Sequence, residues 1–137
     1  MRLFDTTFVV DLVNSDPGAI RLAEKVDGEG SLAAISAVTI HEYLFGVHFR
    51  YGRDHRDVLQ QKLASAQEDL DRFEAIPLSK EVAGLSAGLQ AELARQGRQI
   101  GINDVYIAAT GLRYGLTVVT RNKAHFERVA KLKVEGY

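Results

Sequence analysis

Short apolar runs and longer helical patterns take turns along the chain. Leu3-Phe4 is the first run. Thr7 to Ser15 carries a helical pattern that Pro17-Gly18 interrupts. Pro17 suits the first turn of a second helix, with Asp16 as N-cap and Leu22 and Val26 on its inner face, and Gly28 and Gly30 stop it. Leu32 to Val38 reads as the second strand. From about Val38, Ile40, Tyr43, Leu44 and Val47 fall on one helix face as far as Tyr51-Gly52. Leu59, Leu63, Ala66, Leu70 and Phe73 continue as another helical seam. Ala75-Ile76-Pro77-Leu78 reads as a short edge strand, because Pro77 cannot donate to a ladder. Val82, Leu85, Leu89 and Leu93 line a further helix closed by Gly97. Val105 to Leu112 is apolar nearly all round, which predicts a buried helix ended by Gly115. Leu116 to Thr120 predicts a strand, Lys123 to Ala130 a short helix, and Leu132 to Val134 an edge strand. The order βααβααβααβαβ argues for an α/β fold with a parallel central sheet of about four to five strands and helices on both faces, a Rossmann-like three-layer arrangement. With no repeat or linker in view, residues 1–137 are expected to form a single domain.

Composition narrows the chemistry. The chain has no cysteine, which excludes disulfides, thiolate metal sites, iron–sulfur clusters and cysteine nucleophiles. Seventeen basic residues against eighteen acidic ones leave a formal charge of −1, so any nucleic-acid contact must use a local patch rather than bulk charge. No apolar run approaches the roughly 20 residues of a membrane span. The N-terminus carries no signal-like stretch, so a cytoplasmic location is expected.

In open parallel sheets, ligands bind beyond the carboxyl ends of the strands. Asp5 ends the first strand, Glu42 follows the second, Asn103-Asp104 opens the buried helix, and Thr120-Arg121-Asn122 ends the Leu116–Thr120 strand. Three carboxylates and two amides suit a hard cation such as Mg2+ or Mn2+. Helix N-termini at two of these positions favour a phosphate group. A site holding a divalent ion and a phosphodiester together accounts for both features.

Each residue also has a plainer reading. Asp5 can N-cap a helix starting near Thr6. Asp104 can be a first-turn acid behind an Asn103 cap. Thr39-Ile40-His41-Glu42 matches a capping box, unless Ser36 starts the helix and moves Glu42 into the second turn. Glu42 lies about 160° from the Ile40/Val47 stripe and shares its side with Phe45, Gly46 and Phe49, which points to a cleft wall or a dimer interface. His41, His48 and His55 are seven apart and cannot chelate one ion, so they read as surface or interface residues. His41 and His125 are the candidates for a metal-free acid–base mechanism. Arg50, Arg53 and Arg56, with Tyr51 among them, form the most basic stretch, either an RNA-phosphate grip or a solvated corner. No glycine-rich phosphate loop ending in Lys-Ser/Thr is present.

Four motifs resemble the PIN-domain ribonucleases, the toxin component of VapBC-type toxin–antitoxin pairs. They are Phe4-Asp5-Thr6, the segment from Ser36 to Gly46, the segment from Asn103 to Thr110, and the segment from Val118 to Phe126. Their order and spacing match over nearly the whole chain. The resemblance implies a PIN-like fold and a Mg2+- or Mn2+-dependent endoribonuclease. It implies Asp5, Glu42 and Asp104 as the acidic metal-binding core, with Thr6 supporting through its hydroxyl. Asn122 stands where a fourth acid often follows the last core strand. Further implications are products with 5′-phosphate and 3′-hydroxyl ends, a homodimer, and a cognate antitoxin whose C-terminal segment covers the site. The alternative from a different class is a catalytically silent PIN-like dimer that uses its acidic pocket to bind a partner protein.

Overall fold

The computed structural model describes residues 1–137. Five strands form one parallel sheet in the order β3-β2-β1-β4-β5. The strands are β1 (Arg2–Phe4), β2 (Ala33–Ser36), β3 (Glu74–Ile76), β4 (Thr117–Val119) and β5 (Val134–Glu135). Seven helices connect them: α1 (Thr6–Val13), α2 (Pro17–Gly28), α3 (Ala37–Tyr51), α4 (Arg56–Leu70), α5 (Lys80–Arg95), α6 (Ile102–Tyr114) and α7 (Lys123–Phe126). The element order is the one the sequence pattern predicts, and the fold is α/β as expected.

The strands alternate which face they feed, as a period of two requires. Leu3, Ala34 and Val118 enter a core with Leu93, Val105, Ile107, Ala108 and Phe126, so α5, α6 and α7 cover that face. Phe4, Ile35 and Val119 enter a second core with Phe8, Val9, Leu22, Val26 and Leu70, under α1, α2 and α4. Both faces are covered, which is what allows the strands to be so apolar.

Boundaries differ from the expectations where local signals compete. β2 stops at Ser36, two residues short of Val38, because the Ser36 hydroxyl accepts the Val38 N–H at 3.1 Å and α3 starts at Ala37. α6 starts at Ile102 behind Gly101, so Asn103 is not its cap. α7 ends at Phe126 instead of reaching Ala130. The bonds that follow, Arg128 N–H to His125 and Val129 N–H to Phe126, are tight i to i−3 turns that bury Phe126 and Val129. β5 is displaced to Val134–Glu135, opposite Val118 and Val119. Asp16 caps α2 through Ala19 N–H at 3.0 Å, with Pro17 beside it, as the sequence predicts.

Candidate active site

Asp5 bridges the end of β1 and the start of α1, and its capping reading holds. It is the N-cap of α1, accepting the Phe8 N–H at 3.0 Å, and it is also a carboxylate only 3% exposed at the carboxyl edge of the sheet. Oδ1 also accepts the Thr7 hydroxyl at 2.7 Å, and Oδ2 accepts the Thr120 hydroxyl at 2.5 Å. Burial pushes its pKa up, the hydroxyls of Thr120 and Thr7 and the Phe8 N–H oppose that, and the charge of Asp104 adds to it.

Ser36 capping puts Glu42 in the second turn of α3, so the capping-box reading does not apply. Glu42 Oε1 instead accepts the Thr6 hydroxyl at 2.6 Å, and Thr6 also meets Thr39 Oγ1 at 3.4 Å. Thr6, His41, Glu42, Phe45 and Asn103 line an open groove of about 420 Å³. Asp104, in the first turn of α6, lies 3.3 Å from His125 Nδ1. Burial raises the Asp104 pKa, His125 opposes it, and the charge of Glu42 adds to the rise.

Asp104 therefore feels Glu42, and Asp5 feels Asp104, so the acids act on one another across the carboxyl ends of β1 and β2. They do not close into a ready-made cage, because no three His, Cys, Asp or Glu side chains are grouped tightly enough to ligate one ion. Their chemistry still fits a hard divalent cation. All the donors are oxygens, and no lysine or arginine makes an ion pair with any of them. Negative charge held partly out of water without a lysine or arginine partner is costly, and a bound ion would lower that cost.

The other predicted residues are placed less centrally. Asn122 is exposed and its backbone N–H donates to Thr120 Oγ1 at 2.9 Å. Arg53 and Arg56 lie in and just beyond the turn after α3, and Arg50 sits over the Tyr51 ring at 5.5 Å. Arg56 donates to the Gly52 carbonyl at 3.2 Å. None of the three arginines pairs with the acids. His41 stacks on Phe45, whereas His125 sits on Asp104. Sequence reasoning missed Thr7 and Thr120 as holders of Asp5, and Thr39 beside Thr6. Thr120 at the end of a strand was the available signal, but threonine there is too common to single out.

Comparison with known proteins gives the family of the chain. A model of the PIN domain matches residues 2–132. The chain is 29% identical over 135 residues to the tRNA(fMet)-specific endonuclease VapC of Shigella flexneri, covering 98% of this chain and 96% of that protein. Its fold is similar to DNA-bound VapBC from Salmonella typhimurium, with 27% identity, a TM-score of 0.82 and 99% and 98% of the two chains covered. It is also similar to VapBC2 from Rickettsia felis bound to a promoter DNA fragment, with 26% identity, a TM-score of 0.81 and 99% and 98% covered. With a five-stranded parallel sheet and a family match running almost end to end, the chain belongs to the PIN-domain family.

Proposed function

We propose that this PIN-domain protein is a metal-dependent endoribonuclease, the toxin of a toxin–antitoxin pair, and that it hydrolyses RNA phosphodiester bonds. The carrying observation is the set of carboxylates held by threonine hydroxyls and a backbone N–H, without lysine or arginine partners, in a chain that matches VapC endonucleases along its length. Asp5 and Asp104 would hold the divalent ion, Mg2+ or Mn2+, and Glu42 would complete the acidic group. When bound, such an ion polarises the scissile phosphate and lowers the pKa of water.

The chain's own groups supply the rest. Thr6 fixes the Glu42 carboxylate, and Thr7 and Thr120 fix Asp5. His125 restrains Asp104. The N-termini of α1 and α6 favour the negative charge of an RNA phosphate beside these acids. Asn122 supports the rim by tying its backbone to Thr120. Arg50, Arg53 and Arg56 are exposed and free to meet phosphates further along the RNA. The partners are an RNA substrate and a cognate antitoxin, and the working form is a homodimer.

The test is incubation of purified protein with folded RNA and Mn2+, with and without EDTA. Cleavage that EDTA stops is expected. Cleavage that survives EDTA would move the chemistry to His41 and His125, and no cleavage of any RNA would leave the protein a binding module. The VapC endonucleases among its relatives favour turnover.

A further inference from the structure

Asp5 is held by hydroxyls that are themselves held by a second set of residues. β5 pairs with β4 and carries the chain past the end of that strand, so that Tyr137 lies back on α1. Its ring meets Phe8 edge-on at 5.1 Å, and its hydroxyl donates to Asp11 Oδ2 at 2.5 Å. The same oxygen takes Arg121 Nη2 at 2.6 Å, and that guanidinium also reaches Asp16 at 3.4 Å and lies 6.0 Å from the Tyr137 ring. Arg121 lies between Thr120 and Asn122, in the loop that leaves β4. Its backbone N–H faces Thr7 Oγ1 at 3.5 Å, while Asn122 N–H holds Thr120 Oγ1 at 2.9 Å. The loop is thus pinned between α1 on one side and the segment after β5 on the other.

We infer that Tyr137, Asp11 and Arg121 form a brace that positions Asp5. Three donors fix the Asp5 carboxylate, and two of them, Thr7 and Thr120, are set by the loop that the brace holds. None of the three brace residues bonds to Asp5 directly. They act through the two threonines, so Tyr137 is a positioning residue and not a catalytic one. A buried carboxylate whose donors shift turns away from its working direction, and small misplacements of reacting groups carry large rate penalties. The inference rests on the reading of Asp5 as an acid of the nuclease site.

The test compares Tyr137→Phe, Asp11→Asn and the double variant with the parent and with Asp5→Asn, using the full chain, one RNA substrate and Mn2+. Tyr137→Phe keeps the ring against Phe8 and deletes only the hydroxyl. The expected result for either single change is a fall in kcat of about tenfold with KM for RNA unchanged. Half-saturation of the Mn2+-induced rise in melting temperature should move to higher Mn2+. The double variant should be no worse than the worse single one, because both break one unit. Unchanged kcat with only a lower melting temperature would reduce the brace to a structural tie and overturn the proposal. A rise in KM at constant kcat would overturn it by making these residues RNA contacts. If Asp5→Asn itself cleaves at the parental rate, the site reading and the brace both fall, an outcome distinct from intact Asp5 dependence with an indifferent Tyr137.

Discussion

A carboxylate can serve fold and chemistry together when its two oxygens face different ways. Asp5 Oδ1 closes the first turn of α1, while Oδ2 is turned across the sheet to Thr120. Asparagine retains an oxygen for the cap but loses the charge. Asp5→Asn should therefore stay folded, lose RNA cleavage, and lose the melting-temperature rise that Mn2+ gives the parent, all read in one thermal-shift and cleavage series. Asp104 shows a pH signature. Its pKa is raised in the folded protein, first by burial and then by Glu42. The folded state therefore binds a proton more tightly than the unfolded chain, and the charged form costs stability above the raised value. That cost disappears as pH falls through the raised value toward the ordinary carboxylate value. In EDTA at neutral pH, Asp104→Asn should melt at or above the parent, and the difference should shrink on acidification. A gap that widens on acidification would reverse the assigned sign. RNA cleavage should decline over the same acidic range as the acids lose their charge.

At the scale of elements, α6 decides how closely a functional helix can lie on the sheet. Gly111 faces β4, and a Cβ placed there would come within 3.0 Å of both Val118 Cγ2 and Leu132 Cδ1. A larger side chain must push α6, and Asp104 with it, away from β4. Gly111→Val should cost about 1–3 kcal/mol by overpacking, measured by urea unfolding. Gly115 then stops the helix with φ +64, a conformation that suits glycine and turns the chain into β4. α3 shows the opposite economy. Its inner side, with Val38 and Thr39 buried, packs on the molecule, while Phe45 is 59% and Phe49 80% exposed on its outer side.

The whole molecule places that outer face beside the groove containing Glu42. Two large aromatic side chains left to water are costly for a protein that works alone. A homodimer covering this face is the assembly proposed, and Phe49→Glu should convert it to a monomer in sedimentation velocity. Unchanged sedimentation would place any dimer contact elsewhere. The groove lined by Thr6, Glu42 and Asn103 is open, and it is the proposed entry for an extended RNA strand. No helix is long and apolar enough to cross a membrane.

Much of this architecture is legible in the linear pattern because its signals are local. Apolar periodicity, Asp16-Pro17, Gly97 and Gly115 mark elements within a few residues of where they act. The order of all twelve elements follows from them. The candidate acids were legible too, since they sit where strands run out into helices. What tertiary structure alone decided is the remote contacts. Thr120 reaches Asp5 across 115 residues and Tyr137 reaches Asp11 across 126, both through the crossovers of a parallel sheet. Ser36 rather than Thr39 starts α3, and Gly101 rather than Asn103 precedes α6. Each of these choices was between neighbours with similar local propensity. The remote hydrogen bonds are different, because they depend on register in three dimensions and leave no periodic trace in the chain.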